Sequence, residues 1–181
     1  MNLEDLVKNI INETAVSLTE EFDRNFERKA FFDQKWPTEK HANSRGSQML
    51  RSGKLRKSEN HRVSGGQINW RSSLPYATIH NEGGEMEVTE AMKSFFWAMY
   101  YKASGGASGG GGKTRVDKLT KEAEKWKYMA LMKAGTKMKV EQKQFIGWHE
   151  RVNSEINNVV ADNMIKYNDI LKNKLKDERS N

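Results

Sequence analysis

The residues with the strongest claim to chemistry are His80, Asn81 and Glu82, an imidazole with a carboxylate two positions on. A histidine acts as general base only with a nucleophile or substrate proton within hydrogen-bond reach, and usually with a carboxylate to orient it. Glu82 is close in sequence, but nothing supplies a nucleophile or oxyanion donor, so His80 reads as a structural residue bonding the turn backbone at a strand end. His41, His61 and His149 are scattered and form no H-x-x-x-H or H-E-x-x-H pair, and the chain has no cysteine. No metal, disulfide or cofactor is therefore expected. A second candidate is Ala107 to Thr114, which fits A-x-x-x-x-G-K-T. A phosphate loop needs a buried strand before it and a helix starting at its Lys-Thr. Here the preceding segment has helical periodicity, four consecutive glycines follow, and no apolar strand ends in Asp. The stretch 104–112 is expected to be a flexible Gly-rich linker between two helices.

Charge is more informative by location than by size. The chain of 181 residues carries a formal charge of +7. Seven Lys or Arg residues (Lys40, Arg45, Arg51, Lys54, Arg56, Lys57 and Arg62) stand between 40 and 62 against one acid, Glu59. Residues 1 to 30 lean the other way, with seven acids against four bases. The basic stretch, with Arg45, Arg51, Lys54, Arg56, Lys57 and Arg62 as its contact candidates, could meet nucleic acid, the acidic helix of a neighbouring subunit, or solvent alone. No apolar run approaches the roughly 20 residues that span a bilayer. The opening Asn2-Leu3-Glu4-Asp5 lacks the basic and apolar regions of a secretory signal, so a cytoplasmic location without membrane contact is expected.

The elements that must hold these residues follow from periodicity. Leu3, Leu6, Val7, Ile10, Thr14, Leu18, Phe22 and Phe26 recur at helical steps, with Asn2 as N-cap and Glu4 and Asp5 in the first turn. This helix should end at Phe31, Phe32 and Trp36-Pro37, with Trp36 as a core plug. Residues 38–48 read as a mobile polar loop. A strand pair should follow from about 49 to 80, turning at Ser64-Gly65-Gly66. Within it, Leu74 to His80 is expected to be extended, because Leu74, Tyr76, Thr78 and Ile79 supply β-branched or aromatic bulk, and to run into a tight turn at Gly83-Gly84. Met92, Phe95, Phe96, Met99 and Ala103 have helical spacing, as do Leu119, Ala123, Trp126, Ala130 and Ala134, with Gly135 as C′ residue. The aromatic residues Phe95, Phe96, Trp97, Tyr100 and Trp126 are expected to be core or subunit interface, with stacking on nucleic-acid bases as the other role open to them. Lys137 to Val140 suits a short strand. A last helix carries Val152, Ile156, Val159, Val160, Tyr167, Leu171 and Leu175 on its inner stripe and should fray beyond Lys172.

Three short motifs recur in a fixed order along the chain. The first is Leu50-x-x-Gly53-x-Leu55-x-x-Ser58, followed by the hairpin; the second is Tyr76-Ala77-x-Ile79-His80-x-x-Gly83-Gly84; the third is Phe145-Ile146-Gly147. This series resembles the phage virion morphogenesis family, the tail-completion and head–tail joining proteins of tailed phages and prophages. The resemblance covers roughly residues 20–84 and 135–165. It implies a single α+β domain, a small mainly antiparallel sheet packed by long N- and C-terminal helices, with a helical-hairpin insertion at about 85–137. Leu50, Gly53, Leu55, Tyr76, His80, Gly83, Gly84, Phe145 and Gly147 would hold the shared scaffold. The family's P-x-R-P-F-I-G is reduced here, since Glu141, Gln142, Lys143 and Gln144 precede Phe145. The resemblance further implies a non-enzymatic structural role, a homo-oligomer, partners among phage head, neck or tail proteins, and a path from the bacterial cytoplasm into the virion. A nucleic-acid-binding module using the basic stretch is the alternative, and DNA contact is compatible with both.

Overall fold

The computed structural model describes residues 2–38, 49–108 and 113–180. The chain is α+β and divides into two compact units: Met1–Lys35, Leu55–Pro75 and Phe145–Asn181 form the first, and Trp36–Lys54 with Tyr76–Gln144 the second. Among the described residues its strands form three separate two-stranded antiparallel ladders rather than one sheet.

The first unit is built on α1 (Leu3–Arg28). Asn2 and Asp5 cap it reciprocally: the Asn2 side chain accepts from the Asp5 N–H at 2.7 Å, and the Asp5 carboxylate accepts from the Asn2 N–H at 3.0 Å. The helix ends earlier than Phe31, because Lys29 turns left-handed at φ 54° and donates its N–H to the Asn25 carbonyl. Phe31 and Phe32 belong instead to a tight hairpin, β1 (Ala30–Phe31) with β2 (Gln34–Lys35). Four residues of α2 (Lys54–Lys57) bury Leu55. Next comes the hairpin β3 (Glu59–Ser64) with β4 (Gln67–Ser72), in register from Glu59↔Ser72 to Ser64↔Gln67. Gly65 and Gly66, both at positive φ, make the two-residue turn that the sequence indicates. The strand pair is thus confined to 59–72 and does not reach from 49 to 80.

α6 (Glu150–Ser180) runs antiparallel to α1: Ser17 donates to Glu155 at 3.3 Å, and Glu13 accepts from Asn163 at 2.7 Å. The core of this unit is Leu18, Phe22, Phe31, Phe32 and Val152, with Trp70, Ile146 and Ile156 against it. Trp70 meets Phe22 edge-on at 5.4 Å. Thr19 pins the β3–β4 hairpin to α1. Its hydroxyl donates to the Ala15 carbonyl at 2.6 Å and accepts from Trp70 Nε1 at 2.9 Å. His61 Nδ1 lies 2.9 Å from the same oxygen, which has no second proton to give, so His61 must present an Nδ1–H. α6 continues in helical conformation beyond Lys172 to Ser180, as its Lys-, Leu- and Glu-rich composition permits.

The second unit holds α3 (Ala77–Glu82), the ladder of β5 (Gly84–Glu87) with β6 (Lys137–Val140), and the long helices α4 (Glu90–Ser108) and α5 (Lys113–Ala130). The ladder pairs Gly84 with Val140 and Glu87 with Lys137, so the chain leaves for the helical hairpin and returns from it side by side. Val88, Phe96, Met99, Ala103, Ala123, Trp126 and Ala130 form the core of the hairpin. Two details differ from expectation. α4 extends through Ser108, so residues 104–108 are helical and not linker; 109–112 lie outside the described residues. α5 ends at Ala130, and Gly135 is not its C′ residue but part of the turn into β6, where its N–H donates to the Val88 carbonyl at 2.9 Å. Trp36 is buried as a plug and donates Nε1–H to the Gln144 carbonyl at 2.6 Å.

Candidate functional site

The segment singled out by sequence, Tyr76 to Gly84, is not extended. Residues 77–82 form α3, closed by His80 N–H to the Tyr76 carbonyl at 3.3 Å and Gly83 N–H to the Ile79 carbonyl at 3.0 Å. Thr78 and Ile79 favour strand, but a six-residue helix is set by its contacts more than by propensity. Those contacts come from the stretch just before Phe145. Lys143 donates its N–H to the His80 carbonyl at 2.8 Å, and Gln142 Nε2 donates to the Asn81 carbonyl at 3.2 Å.

Gly83 sits at the closest approach. Its φ of 72° and ψ of −170° fall in a region that side-chain-bearing residues avoid, and a Cβ added there would stand 2.9 Å from Gln142 N. Gly83→Ala should therefore destabilise the protein by about 2–4 kcal/mol, strain plus a forced backbone shift. Gly65→Ala is the control: it also has positive φ but nothing within 4 Å, and should cost only about 1 kcal/mol. Chemical denaturation of both variants makes the comparison. Equal losses would mean that the Gly83–Gln142 approach contributes nothing.

His80 is half-buried, with its Nδ1 enclosed and without a hydrogen-bond partner among the described residues. Burial, with Lys143 and Arg51 nearby, lowers its pKa below the ordinary histidine value, so the ring is neutral at neutral pH. It meets Tyr76 edge-on at 6.0 Å. Glu82 is exposed and two residues along the same helix, a spacing that points it away from the imidazole. The orienting contact that a His80–Glu82 pair would need is not made. His80 is a helix residue that lends its carbonyl to Lys143, not a strand-end histidine bonding a turn.

The remaining scaffold positions are split between the units. Leu55 and Phe145 are buried, Phe145 against Phe26 with ring centroids 5.1 Å apart. Leu50 is half-buried and Tyr76 39% exposed. Gly53, Gly84 and Gly147 share the positive φ of Gly83. One functional-looking residue gave no sequence signal. Asn25, fully buried on α1, accepts the Phe32 N–H at 2.9 Å and donates to the Phe145 carbonyl at 3.1 Å. It holds the β1–β2 turn, where Phe32 is left-handed at φ 54°, and the F-I-G segment from one side chain. Phe32 also stacks on His149 at 4.7 Å, whose Nε2 lies 2.9 Å from Asp33.

Arg56 is clamped by Asp23 and Glu27 of α1 and so serves as an internal tie. Lys57 and Arg62 are exposed in the first unit, Arg51 and Lys54 in the second, and Arg45 lies outside the described residues, as does most of 38–48. Glu59 is beside the Arg56 clamp in a groove shared with Thr19, Glu20, Asp23, Arg24, Glu27 and Lys57. One Glu59 oxygen is buried without a hydrogen-bond partner among the described residues, and burial, then the charge of Asp23, push its carboxyl up to about 8. Glu21 goes the other way, held low by Arg28 and Arg24 despite burial that opposes it.

The aromatic candidates also separate. Phe96 and Trp126 are not available as interface, since both are buried in the α4–α5 core, stacked at 5.9 Å. Phe95 is 50% exposed and packs edge-on to Trp126, while Trp97 and Tyr100 are half-buried beside exposed Tyr101. The Ala107–Thr114 stretch lacks the strand a phosphate loop requires, because α4 runs into it. No group of three His, Asp or Glu placed to hold a metal occurs among the described residues, and no described helix is long and apolar enough to cross a membrane. No family model, no curated protein and no solved structure matches the chain.

Proposed function

We propose that this chain is a structural protein of phage or prophage virion assembly, acting in tail completion or head–tail joining through multisubunit contacts. The reading rests on the resemblance of Leu50 to Ser58, Tyr76 to Gly84 and Phe145 to Gly147. One observation supports it most. The Y-A-x-I-H-x-x-G-G stretch and the residues leading into F-I-G, about sixty positions apart in sequence, are bonded through His80–Lys143 and Asn81–Gln142. The helices between them leave and return through the β5–β6 neck. That arrangement is what an insertion into a pre-existing scaffold produces. Under this reading the protein works by packing, passes from the host cytoplasm into the particle, and carries out no reaction.

Removing the gene from a phage or prophage that encodes it should leave heads and tails unjoined in electron micrographs, with joining restored when the chain is supplied in trans. Intact, infectious particles formed without it would remove the proposal.

A further inference from the structure

The hairpin of β3 and β4 has two unlike faces. Residues directly opposite one another in an antiparallel pair point to the same side, and successive residues along a strand alternate. Glu59 with Ser72, His61 with Trp70 and Val63 with Ile68 therefore make one face; Asn60 with Arg71, Arg62 with Asn69 and Ser64 with Gln67 make the other. The first is turned to α1, where His61 and Trp70 both meet the Thr19 hydroxyl. The second is open: its residues are all exposed, while every residue of the first face is partly covered.

A solvated strand face needs only to be polar. This one is more particular, holding two arginines, two asparagines, a glutamine and a serine, with no carboxylate and no apolar side chain. Asparagine is disfavoured in strands, yet one stands on each. Arg62 and Arg71 are diagonal neighbours across the ladder, on the order of 7–8 Å apart, and their repulsion is met by no acid on this face. Among the described residues neither makes an ion pair, and the only side-chain hydrogen bond of the six is a long one, 3.4 Å from Asn60 to the Ser58 carbonyl.

We propose that this face is a two-stranded ribbon that enters the major groove of duplex DNA and contacts base edges there. The B-form major groove, about 12 Å wide, admits such a ribbon. The side chains are those its base pairs call for: Arg bonds guanine O6 and N7, Asn and Gln bond adenine N6 and N7, and Ser suits either. Spacing agrees as well. Alternate residues of a strand stand ~6.8 Å apart, two base-pair steps of about 3.4 Å, so the outward residues keep step with the bases over about four base pairs. The unopposed arginines complement the charge of the duplex. Gly65 and Gly66 at the tip have nothing within 4 Å of where a Cβ would stand, so the turn is clear to enter between the groove walls. Behind the ribbon, Trp70 is fixed to α1 by Thr19 and Phe22, which presents the face preformed. Duplex RNA is not an equivalent occupant, because its major groove is too deep and narrow for side chains. The inference does not rest on the virion reading: a chain that joins particles without binding DNA would overturn it alone.

The test is fluorescence anisotropy of a short labelled DNA duplex of mixed sequence titrated with the full chain, with single-stranded DNA and duplex RNA of the same length as parallel probes. The wild type should bind the DNA duplex most tightly, lose affinity as salt rises, and be displaced by the major-groove ligand methyl green but not by the minor-groove ligand netropsin. Arg62→Ala with Arg71→Ala should raise Kd at least ~30-fold. Asn60→Ala with Asn69→Ala should flatten the base preference obtained by selection from a randomised duplex pool. Circular dichroism and Tm should stay unchanged in both, because all four side chains are exposed. Lys127→Ala with Lys133→Ala removes the same charge from exposed positions in the other unit and should keep Kd within ~3-fold of wild type. Equal losses in the arginine and lysine variants would mean that binding follows net charge and not the ribbon. That result, no binding of duplex DNA, an arginine variant that binds like wild type, or equal affinity for the three probes overturns the proposal.

Discussion

Replacing Asn25 with alanine should lower the unfolding free energy by about 3–5 kcal/mol, a large share of a domain's total stability. The side chain is fully buried and satisfies two backbone groups that have come from distant parts of the chain, the Phe32 N–H and the Phe145 carbonyl. Truncation removes the Asn25 bond from a buried donor and from a buried acceptor, each loss costing roughly 1–3 kcal/mol, and opens a small cavity besides. Phe32 is also left without the bond that holds its left-handed backbone. Asn25→Asp separates the contributions. It keeps the acceptor for Phe32 but sets a carboxylate against the Phe145 carbonyl, and the loss should shrink as pH falls and the protonated acid can donate. Urea titration of the variants at neutral and acid pH checks both statements. A loss below about 1 kcal/mol for Asn25→Ala would mean that neither bond is formed in solution.

Asn25 also shows where reading the sequence stops. Asn ordinarily signals a cap or a turn, and nothing around it on α1 announces that its amide will face Phe145, 120 positions on. What the sequence did expose was local: the Asn2 cap, the Gly65-Gly66 turn and the 137–140 strand each follow from residue type and spacing within a few positions. The errors occurred where tertiary contacts outweigh those preferences. Thr78 and Ile79 favour strand, yet the bonds from Gln142 and Lys143 hold residues 77–82 as helix. Gly105 and Gly106 suggest linker, yet α4 continues through them. Charge counting located the basic stretch but could not show that Arg56 is consumed by Asp23 and Glu27. Aromatic spacing identified α4 and α5 as a packed pair, while leaving open which rings, Phe96 and Trp126 in the event, are enclosed by it.

Stability of the first unit should fall as pH rises toward 9, and Glu59→Gln should abolish most of that fall. Glu59 begins β3 opposite Ser72 and has one oxygen buried without a partner among the described residues. Its carboxyl titrates at about 8 because burial penalises the charged form, Asp23 repels it, and Arg56 offsets only part of this. Arg56 is already engaged, its own pKa raised by hydrogen bonds to Asp23 and Glu27. The folded value is raised above the unfolded one, so the native state binds the proton more tightly. The associated stability is whole below about pH 4.5, declines between there and about 8, and is lost above that. The full span corresponds to an upper bound on the order of 5 kcal/mol, reduced in practice as water and Arg56 adjust to the charge. Glutamine keeps the shape and never ionises. The quantity to follow is the difference in unfolding free energy between Glu59→Gln and wild type, which cancels titration elsewhere in the chain. It should be near zero at pH 4.5 and reach a few kcal/mol in favour of the variant at pH 9. A difference that does not change with pH would show that Glu59 ionises as an ordinary surface carboxylate, and that the groove beside Arg56 is open to water.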